Sequence, residues 1–349
     1  MEKQISIIIP TYNMEKYIGK CLDSLLIPEF DQVEVLVVND GSKDRSSEIA
    51  HGYADRYPGS IRVVDKPNGN YGSCINAALP LAAGRYVKVL DADDTFDSDA
   101  FSKFVALLGN VDDDMLITPF VDVDEEGVIT RRDAVNYYNV NLYTTYIFEE
   151  IKDSALALYP TMHRLTYKRS LFDRLDYRQT EGISYTDTEW SMLPMAYIDT
   201  IRFTDVFLYR YLVGRVGQTM APDKLAKSID QLFMVSKDMI AFYKSADLSD
   251  ERREFLNKKI ISFIKSNIMI GLRSGSREVM DSIKEHDNWL KQESPLIYEA
   301  VGNIRYDERI PFLLVNDIRK KNYPTGYKVP KHVLYRLSIK IRLDKLFNR

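Results

Sequence analysis

Two aspartates, Asp91 and Asp93, stand two residues apart directly after the strand-like segment Tyr86–Leu90. In an extended chain alternate side chains share a face, so this spacing predicts that both carboxylates point the same way. Paired carboxylates with no Cys/His cluster beside them suit a hard cation, Mg2+ or Mn2+, held by one or two carboxylates while phosphate oxygens complete the shell. The ordinary reading of such a motif is that Asp93, Asp94, Asp97 and Asp99 cap and solvate the next helix, expected to begin near Ala100. For an isolated D-x-D that reading prevails; the position behind a buried strand reverses it. Asp40 occupies a comparable place, after the apolar run Val35–Val38 and before Gly41, which permits close backbone approach. A carboxylate there can accept hydrogen bonds from a nucleobase or ribose, or serve an Asx turn. The segment Ile9-Pro10-Thr11-Tyr12-Asn13 has no glycine, so no G-x-G-x-x-G fingerprint exists at the first turn, and no Walker lysine motif occurs. A nucleotide bound here is not cradled by a phosphate loop, which leaves that work to a metal.

The elements that must position these residues are legible as an alternation. Ile5–Ile9 is a short continuous apolar run, the pattern of a strand buried on both faces, and Val33–Val38, Ile61–Val64 and Tyr86–Leu90 read as further strands. Between them helices are predicted through Ile18, Leu22, Leu25 and Leu26, from an Asp44 N-cap to about Tyr57, and through Ile75, Ala78 and Leu79. This β-α-β-α-β-α-β order implies a mostly parallel sheet flanked by helices, an α/β architecture in which ligands bind beyond the carboxyl ends of the strands. Three polar clusters fall at those ends: Thr11 to Asn13, Asn39 to Ser42 and Asp91 to Asp94. Further on, Met115–Val121 and Gly127–Arg131 read as strands, Tyr137–Tyr146 is aromatic and unassigned, and Ile201–Tyr211 reads as one or two edge strands. After Pro222 the pattern becomes all helical, so a boundary is expected there: a catalytic-type domain over 1–221, its nucleotide-binding half about 1–100 and its acceptor half about 101–221, then a helical region over 222–349 with a basic tail.

Composition narrows the function classes. Lys+Arg number 47 and Asp+Glu 51, so no global basic field favours nucleic acid. Cys21 and Cys74 are the only cysteines, which argues against thiol–metal sites and disulfides and suits a reducing cytoplasm. The first residues run straight into a strand with no signal-type apolar stretch, and the most apolar helix, Ile260–Leu272, is interrupted by Lys265, Ser266 and Asn267. A cytoplasmic location is expected. From Asn316 to Arg349 ten lysines and arginines face two aspartates. This tail, with Lys328, Lys331, Arg336, Lys340, Arg342 and Lys345, suits peripheral contact with an anionic membrane as well as it suits a solvated terminus. His51 and His286 are expected at the surface, and His163 in a structural role.

Pro10-Thr11-Tyr12-Asn13, Val38-Asn39-Asp40-Gly41-Ser42, Asn68 with Gly72, Asn76 and Gly84, and Leu90-Asp91-Ala92-Asp93-Asp94 together closely resemble family 2 glycosyltransferases with the GT-A fold, in order and spacing as well as content. The resemblance is strong over roughly residues 5–100, looser to about Thr219 and absent beyond. It implies inverting transfer of a sugar from a nucleotide diphosphate, usually UDP, to an acceptor hydroxyl on a glycan or lipid-linked saccharide, in a setting of bacterial surface polysaccharide synthesis. Carried over by position, Thr11 and Asp40 would contact the uridine, Lys66 and Asn68 would face the nucleotide, and Asp91 with Ala92 would sit near ribose and donor sugar. Asp93 would ligate the divalent cation, Mn2+ or Mg2+, bridging the phosphates. The family's base usually lies in a Glu-Asp pair; here Thr186 stands where Glu is common, making Asp187 the expected base and Glu189 the runner-up. Arg215, in the closing segment, would approach the diphosphate. Competing readings are a nucleotidyltransferase on a similar sheet, which would call for a basic phosphate loop, and a degenerate sugar-nucleotide-binding module. A homo-oligomer is compatible with either.

Overall fold

The computed structural model describes residues 2–133, 140–153, 161–215, 228–272, 274–307 and 310–336. The chain divides into two compact units, residues 1–218 and 219–349; the expected boundary at Pro222 lies outside the described residues.

The first unit is built on four parallel strands: β1 (Ile5–Thr11), β2 (Val33–Asn39), β3 (Ile61–Asp65) and β4 (Tyr86–Val89), side by side in the order β3-β2-β1-β4. Ile5, Ile7, Ile8 and Ile9 have no accessible surface, nor do Val33, Val35, Leu36 and Val37, because helices cover both faces of the sheet. Those helices are α1 (Ile18–Asp23), α2 (Ser46–Arg56) and α3 (Asn70–Ala78). α1 is shorter than the apolar spacing predicts, ending before Leu25 and Leu26. The N-cap position of α2 is Arg45 rather than the expected Asp44, which stands one residue earlier and accepts from the Ser46 N–H and hydroxyl.

Beyond β4 the chain adds β5 (Thr95–Phe96), α4 (Ser98–Leu108), β6 (Met115–Ile117), β7 (Phe120–Val123), β8 (Ile129–Asp133), β9 (Thr145–Ile147), α5 (Phe148–Ile151), β10 (Leu165–Lys168), α6 (Asp187–Met192), β11 (Thr200–Phe203) and β12 (Tyr209–Leu212). Asp97 caps α4 by accepting from the Ala100 N–H, as the acidic run after the motif predicted. The main sheet continues from β4 through antiparallel β10 to β6, β11 and β9, while β5, β12, β7 and β8 form a second sheet. Two expectations are corrected here. Met115–Val121 is not one strand: it breaks after Ile117, and its halves join different sheets. The strands in Ile201–Tyr211 are not edges, since β11 lies between β6 and β9 and β12 between β5 and β7.

The second unit packs helices Ile229–Ser245, Asp250–Gly271, Arg277–Glu293, Pro295–Asn303 and Leu314–Lys320 around Phe233, Leu256, Ile264, Ile283 and Leu290. It is not all helical: Arg305–Asp307 and Ile310–Leu313 pair as an antiparallel hairpin. His286 is buried rather than exposed, stacked on Phe233 with ring centroids 4.1 Å apart and bonded to Ser236 Oγ at 2.7 Å. Its position faces the helical core, and burial lowers its pKa to about 3, leaving a neutral aromatic filler. His51 is half exposed, as expected, and its Nε2 meets Asp65 at 2.7 Å. No described helix is long and apolar enough to cross a membrane.

Candidate functional site

The polar clusters predicted at the strand ends lie together beyond the carboxyl edge of β1, β2 and β4. Asp40 follows β2 and is 2% exposed. Its Oδ1 accepts from Lys66 Nζ at 2.6 Å and the Gly69 N–H at 2.9 Å, and its Oδ2 from Asn68 Nδ2 at 3.0 Å and the Asn70 N–H at 2.9 Å. One carboxylate thus ties down the loop 66–70 that leads into α3. Gly41 completes the corner with φ of 72°, where a Cβ would stand 3.1 Å from the Asn68 nitrogen. Thr11, the last residue of β1, is buried; its hydroxyl donates back to Ile9 O at 3.1 Å and its carbonyl accepts from the Asp40 N–H at 2.9 Å. Of the predicted nucleotide-facing residues, Asn68 is exposed, Lys66 is partly buried, and Thr11 and Asp40 form the floor beneath them.

The acidic motif is arranged differently from the spacing argument. β4 ends at Val89, and the Asp94 N–H donates to Asp91 O at 3.0 Å, so residues 91–94 form a turn. A turn does not preserve the alternation of an extended chain, and Asp91 and Asp93 take different partners. Asp93 meets the Arg215 guanidinium in a partly buried ion pair, with that guanidinium 5.7 Å from the Tyr17 ring centre. A cavity of about 350 Å³ opens beside Asp93, lined also by Lys16, Tyr17, Lys20 and Arg210. Asp91 accepts from Tyr71 OH at 3.1 Å. Asp94, 1% exposed, accepts from Tyr209 OH and the Leu212 N–H, both at 2.7 Å, which anchors β12 to the motif. Ala92 is buried between them.

His163 closes the arrangement. One ligand-type atom each from Asp91, Asp94 and His163 lies within 4.8 Å of the other two. The imidazole is walled by Phe120, Tyr209 and Tyr211 at centroid distances of 5.3, 4.8 and 4.6 Å, and Nδ1 sits 3.2 Å from Thr161 Oγ1. Behind it, Lys88 of β4 has no accessible surface and donates to His163 O at 2.8 Å and Leu165 O at 3.0 Å. Sequence reasoning gave Asp94 a capping role and His163 a structural one; the turn at 91–94 and the return of β10 beside β4 bring them next to Asp91.

Burial and mutual repulsion set the electrostatics. Burial first, then Asp93, push the Asp91 pKa up to about 7, with Asp187 adding to the shift. Asp94 is raised for the same reasons. Burial raises Asp187 too, opposed by the backbone N–H groups of Asp187 and Thr188 at the start of α6. Burial, with Lys88 and Arg164 adding, lowers His163 to about 3, so its ring is neutral. Lys88 falls to about 7 by desolvation. Several carboxylates in low dielectric with an oxygen-rich donor set are what a hard divalent cation requires, and these residues fit one.

The two acidic residues of α6 have separate surroundings. Asp187 opens the helix and lies close enough to Asp91 and Tyr71 to raise both electrostatically. Glu189 is 1% exposed and accepts from the Thr180 N–H at 2.8 Å and the Thr180 hydroxyl at 2.7 Å. That loop packs on α3 where a Cβ at Gly72 would stand 2.0 Å from Thr180 O, which accounts for a glycine there.

Residues 6–175 match the family model Glycosyl transferase family 2. Among curated relatives, the uncharacterized glycosyltransferase EpsJ of Bacillus subtilis is 29% identical over 273 residues, covering 72% of this chain and 73% of that protein. An uncharacterized glycosyltransferase of Mycoplasma pneumoniae, the MG025 homolog, is 44% identical over 119 residues, 33% of this chain and 38% of its own length. Among solved structures, S. aureus TarS 1-349 in complex with UDP-GlcNAc superposes with a TM-score of 0.55 at 21% identity, over 85% of this chain and 90% of that one. Mannosyltransferase PcManGT from Pyrobaculum calidifontis, in complex with GDP-Man and Mn2+, gives 0.53 at 16% identity, over 93% and 82%.

Proposed function

From a glycosyltransferase that carries a glycosyl transferase family 2 domain on the GT-A fold, we propose inverting transfer of a hexosyl or N-acetylhexosaminyl group. The donor is a nucleoside diphosphate sugar, UDP-linked in the first instance, and the acceptor a hydroxyl of a glycan or lipid-linked saccharide. The observation that carries the reading is the meeting of Asp91, Asp93, Asp187 and Arg215 beyond the strand ends, next to the Asp40-tethered loop. Among the solved relatives, the TarS complex with UDP-GlcNAc supports a UDP donor, and the PcManGT complex with Mn2+ supports a cation.

In this reading the nucleoside lies over Thr11, Lys66 and Asn68, with Asp40 fixing the loop. Asp91 and Ala92 face ribose and sugar. Asp93 would hold the cation, which when bound would supply Lewis-acid stabilisation of a departing diphosphate, an effect worth several kcal/mol. Arg215 leaves Asp93 for the diphosphate. Asp187 takes the proton of the acceptor hydroxyl; that oxygen bonds to the anomeric carbon as the carbon–phosphate oxygen bond breaks on the opposite face, and the nucleoside diphosphate departs with the electron pair. A pKa raised by burial makes Asp187 a better proton acceptor than an exposed aspartate. The setting we infer is cytoplasmic synthesis of a bacterial surface polysaccharide, with the basic C-terminus near the membrane; its residues 337–349 lie outside the described residues.

The test is calorimetric titration of UDP, UDP-glucose, UDP-galactose, UDP-N-acetylglucosamine, GDP-mannose and dTDP-rhamnose, with Mn2+ and with EDTA. Metal-dependent binding of one nucleotide series is expected. A folded protein that binds none of them would instead be a degenerate module.

A further inference from the structure

The segment 179–182 is held by side chains from two different helices. From α3, Asn76 accepts the Gln179 N–H on Oδ1 at 2.9 Å and donates from Nδ2 to Gln179 O at 2.8 Å and Glu181 Oε1 at 2.9 Å. From α6, the Glu189 carboxylate accepts from the N–H of the next residue, Thr180, at 2.8 Å and from its hydroxyl at 2.7 Å. Further along, the Gly182 N–H donates to Gly69 O at 2.8 Å, and Gly69 belongs to the loop that Asp40 ties down. Packing is as close as the bonding, since Thr180 O rests over Gly72 with no room for a Cβ. The segment then enters α6 through Tyr185, at φ of 67°, and the buried Thr186. A bulky residue at positive φ is strained and persists only where its surroundings fix it. Asp187 stands two residues after it. Glu189 is 1% exposed with both oxygens engaged by Thr180, whereas Asp187 lies close enough to Asp91 to raise it. Of the two acids on α6, Glu189 is therefore the one committed to holding the chain.

We propose that Asn76 and Glu189 are positioning residues, which act through segment 179–182 to lock the start of α6, and with it Asp187, to the loop 66–70. This rests on the proposed reading, in which that loop meets the donor and Asp187 takes the acceptor proton. Asn76 grips Gln179 and Glu189 grips Thr180, so adjacent residues join α3 to α6; the bond from Gly182 to Gly69 joins the same segment to the donor loop itself. A general base must stand in one place relative to the bound donor, and a rigid connection between the two supplies that. A nucleotide that immobilises loop 66–70 also removes freedom from the turn carrying Asp187, without touching it.

Hydrogen exchange of the whole chain, followed by mass spectrometry with and without UDP and Mn2+, reads this connection without requiring turnover. UDP is expected to slow exchange in residues 179–190, which the nucleoside does not reach in this reading. Asn76→Ala is expected to abolish that protection while UDP still binds. Turnover separates positioning from chemistry. With UDP-N-acetylglucosamine as donor and water as acceptor, Glu189→Ala lowers kcat for UDP release by ~10- to 100-fold at unchanged KM. Glu189→Gln, whose amide can keep both bonds to Thr180, restores most of that rate. Should Glu189→Ala fail to fold, Asn76→Ala is read in its place, since Asn76 is only partly buried. UDP binding that leaves residues 179–190 unprotected, or protection that survives Asn76→Ala, would overturn the connection. Glu189→Gln as slow as Glu189→Ala would overturn the positioning role, make that carboxylate the reacting group and leave the transferase reading standing. A folded chain that binds no UDP would sink both.

Discussion

Asp40→Asn is the substitution with the most calculable outcome. The aspartate is 2% exposed, and each of its oxygens accepts two hydrogen bonds, Oδ1 from Lys66 Nζ and the Gly69 N–H, Oδ2 from Asn68 Nδ2 and the Asn70 N–H. An amide in the same place keeps one oxygen and turns the other into a donor. Whichever way it sits, two donors then face a third. Hydrogen bonds to a charged group contribute about 1.5–3 kcal/mol each, and Lys66 also loses its counter-charge. The loss is softened because Lys66 Nζ still donates to Pro67 O at 2.7 Å and Ser73 Oγ at 2.8 Å. A net cost of about 3–5 kcal/mol is expected, the range for breaking a buried pair from one side. For a unit of this size that lowers Tm by roughly 6–20 °C. Because the loop 66–70 is released, UDP affinity falls with stability. Differential scanning calorimetry beside UDP titration checks this. A variant with unchanged Tm and weakened UDP binding would refute the tether and make Asp40 a ligand contact instead.

Other outcomes follow from the same geometry. Asp187→Asn removes the proposed base and is expected to cut transfer by ~10²–10⁴-fold while UDP still binds; Glu189→Gln costs only about 1 kcal/mol, because the Thr180 hydroxyl can reverse and accept from the new amide. If initial rates instead show Glu189→Gln inactive and Asp187→Asn active, the base is misassigned. Lys88 has its folded pKa depressed to about 7 from 10.5, so between those values the unfolded chain binds more protons and stability rises with pH, by up to ~1.4 kcal/mol per unit. That contribution is lost as pH falls toward 7; urea unfolding from pH 7.5 to 9 should show a flatter profile for Lys88→Met, and superimposable profiles would contradict a buried, depressed lysine. Gly72→Ala sets a Cβ 2.0 Å from a backbone oxygen, which flexible side chains cannot relieve; a loss of about 1–3 kcal/mol is expected on chemical denaturation, with weakened transfer because Thr180 is the partner of Glu189.

What the sequence made legible is what local chemistry decides. Strands β1 to β4 announce themselves because a sheet covered on both faces needs largely apolar segments, and the polar clusters at their ends follow from the topology. Thr11, Asp40, Asn68 and the acidic motif are therefore found at one edge. The failures have other causes. The D-x-D argument assumed an extended chain, while the bond from the Asp94 N–H to Asp91 O makes a turn. The run Met115–Val121 is uniformly apolar whether it feeds one sheet or two, so nothing in it marks the break after Ile117. His286 sits in a charged stretch, yet helical phase turns it onto Phe233. In the last two cases the deciding partner is far away in the chain, while in the first a local turn replaces the extended backbone.

That distinction bears on the site itself. Asp91, Asp94 and Asp187 are all raised by burial, and Asp91 and Asp94 by their carboxylate neighbours as well. Gathering them near one point therefore opposes folding when they are charged, and a packed core must offset it. A hydrophobic replacement would relieve that opposition, so these residues are poor choices for stability alone and good ones for holding a cation. Arg215 fits the same logic: its ion pair with Asp93 neutralises one carboxylate, and in the proposed reading a diphosphate arriving with a cation would supply a partner for each member of that pair. Binding of donor and cation would then be mutually dependent, because either alone leaves one buried charge unmatched.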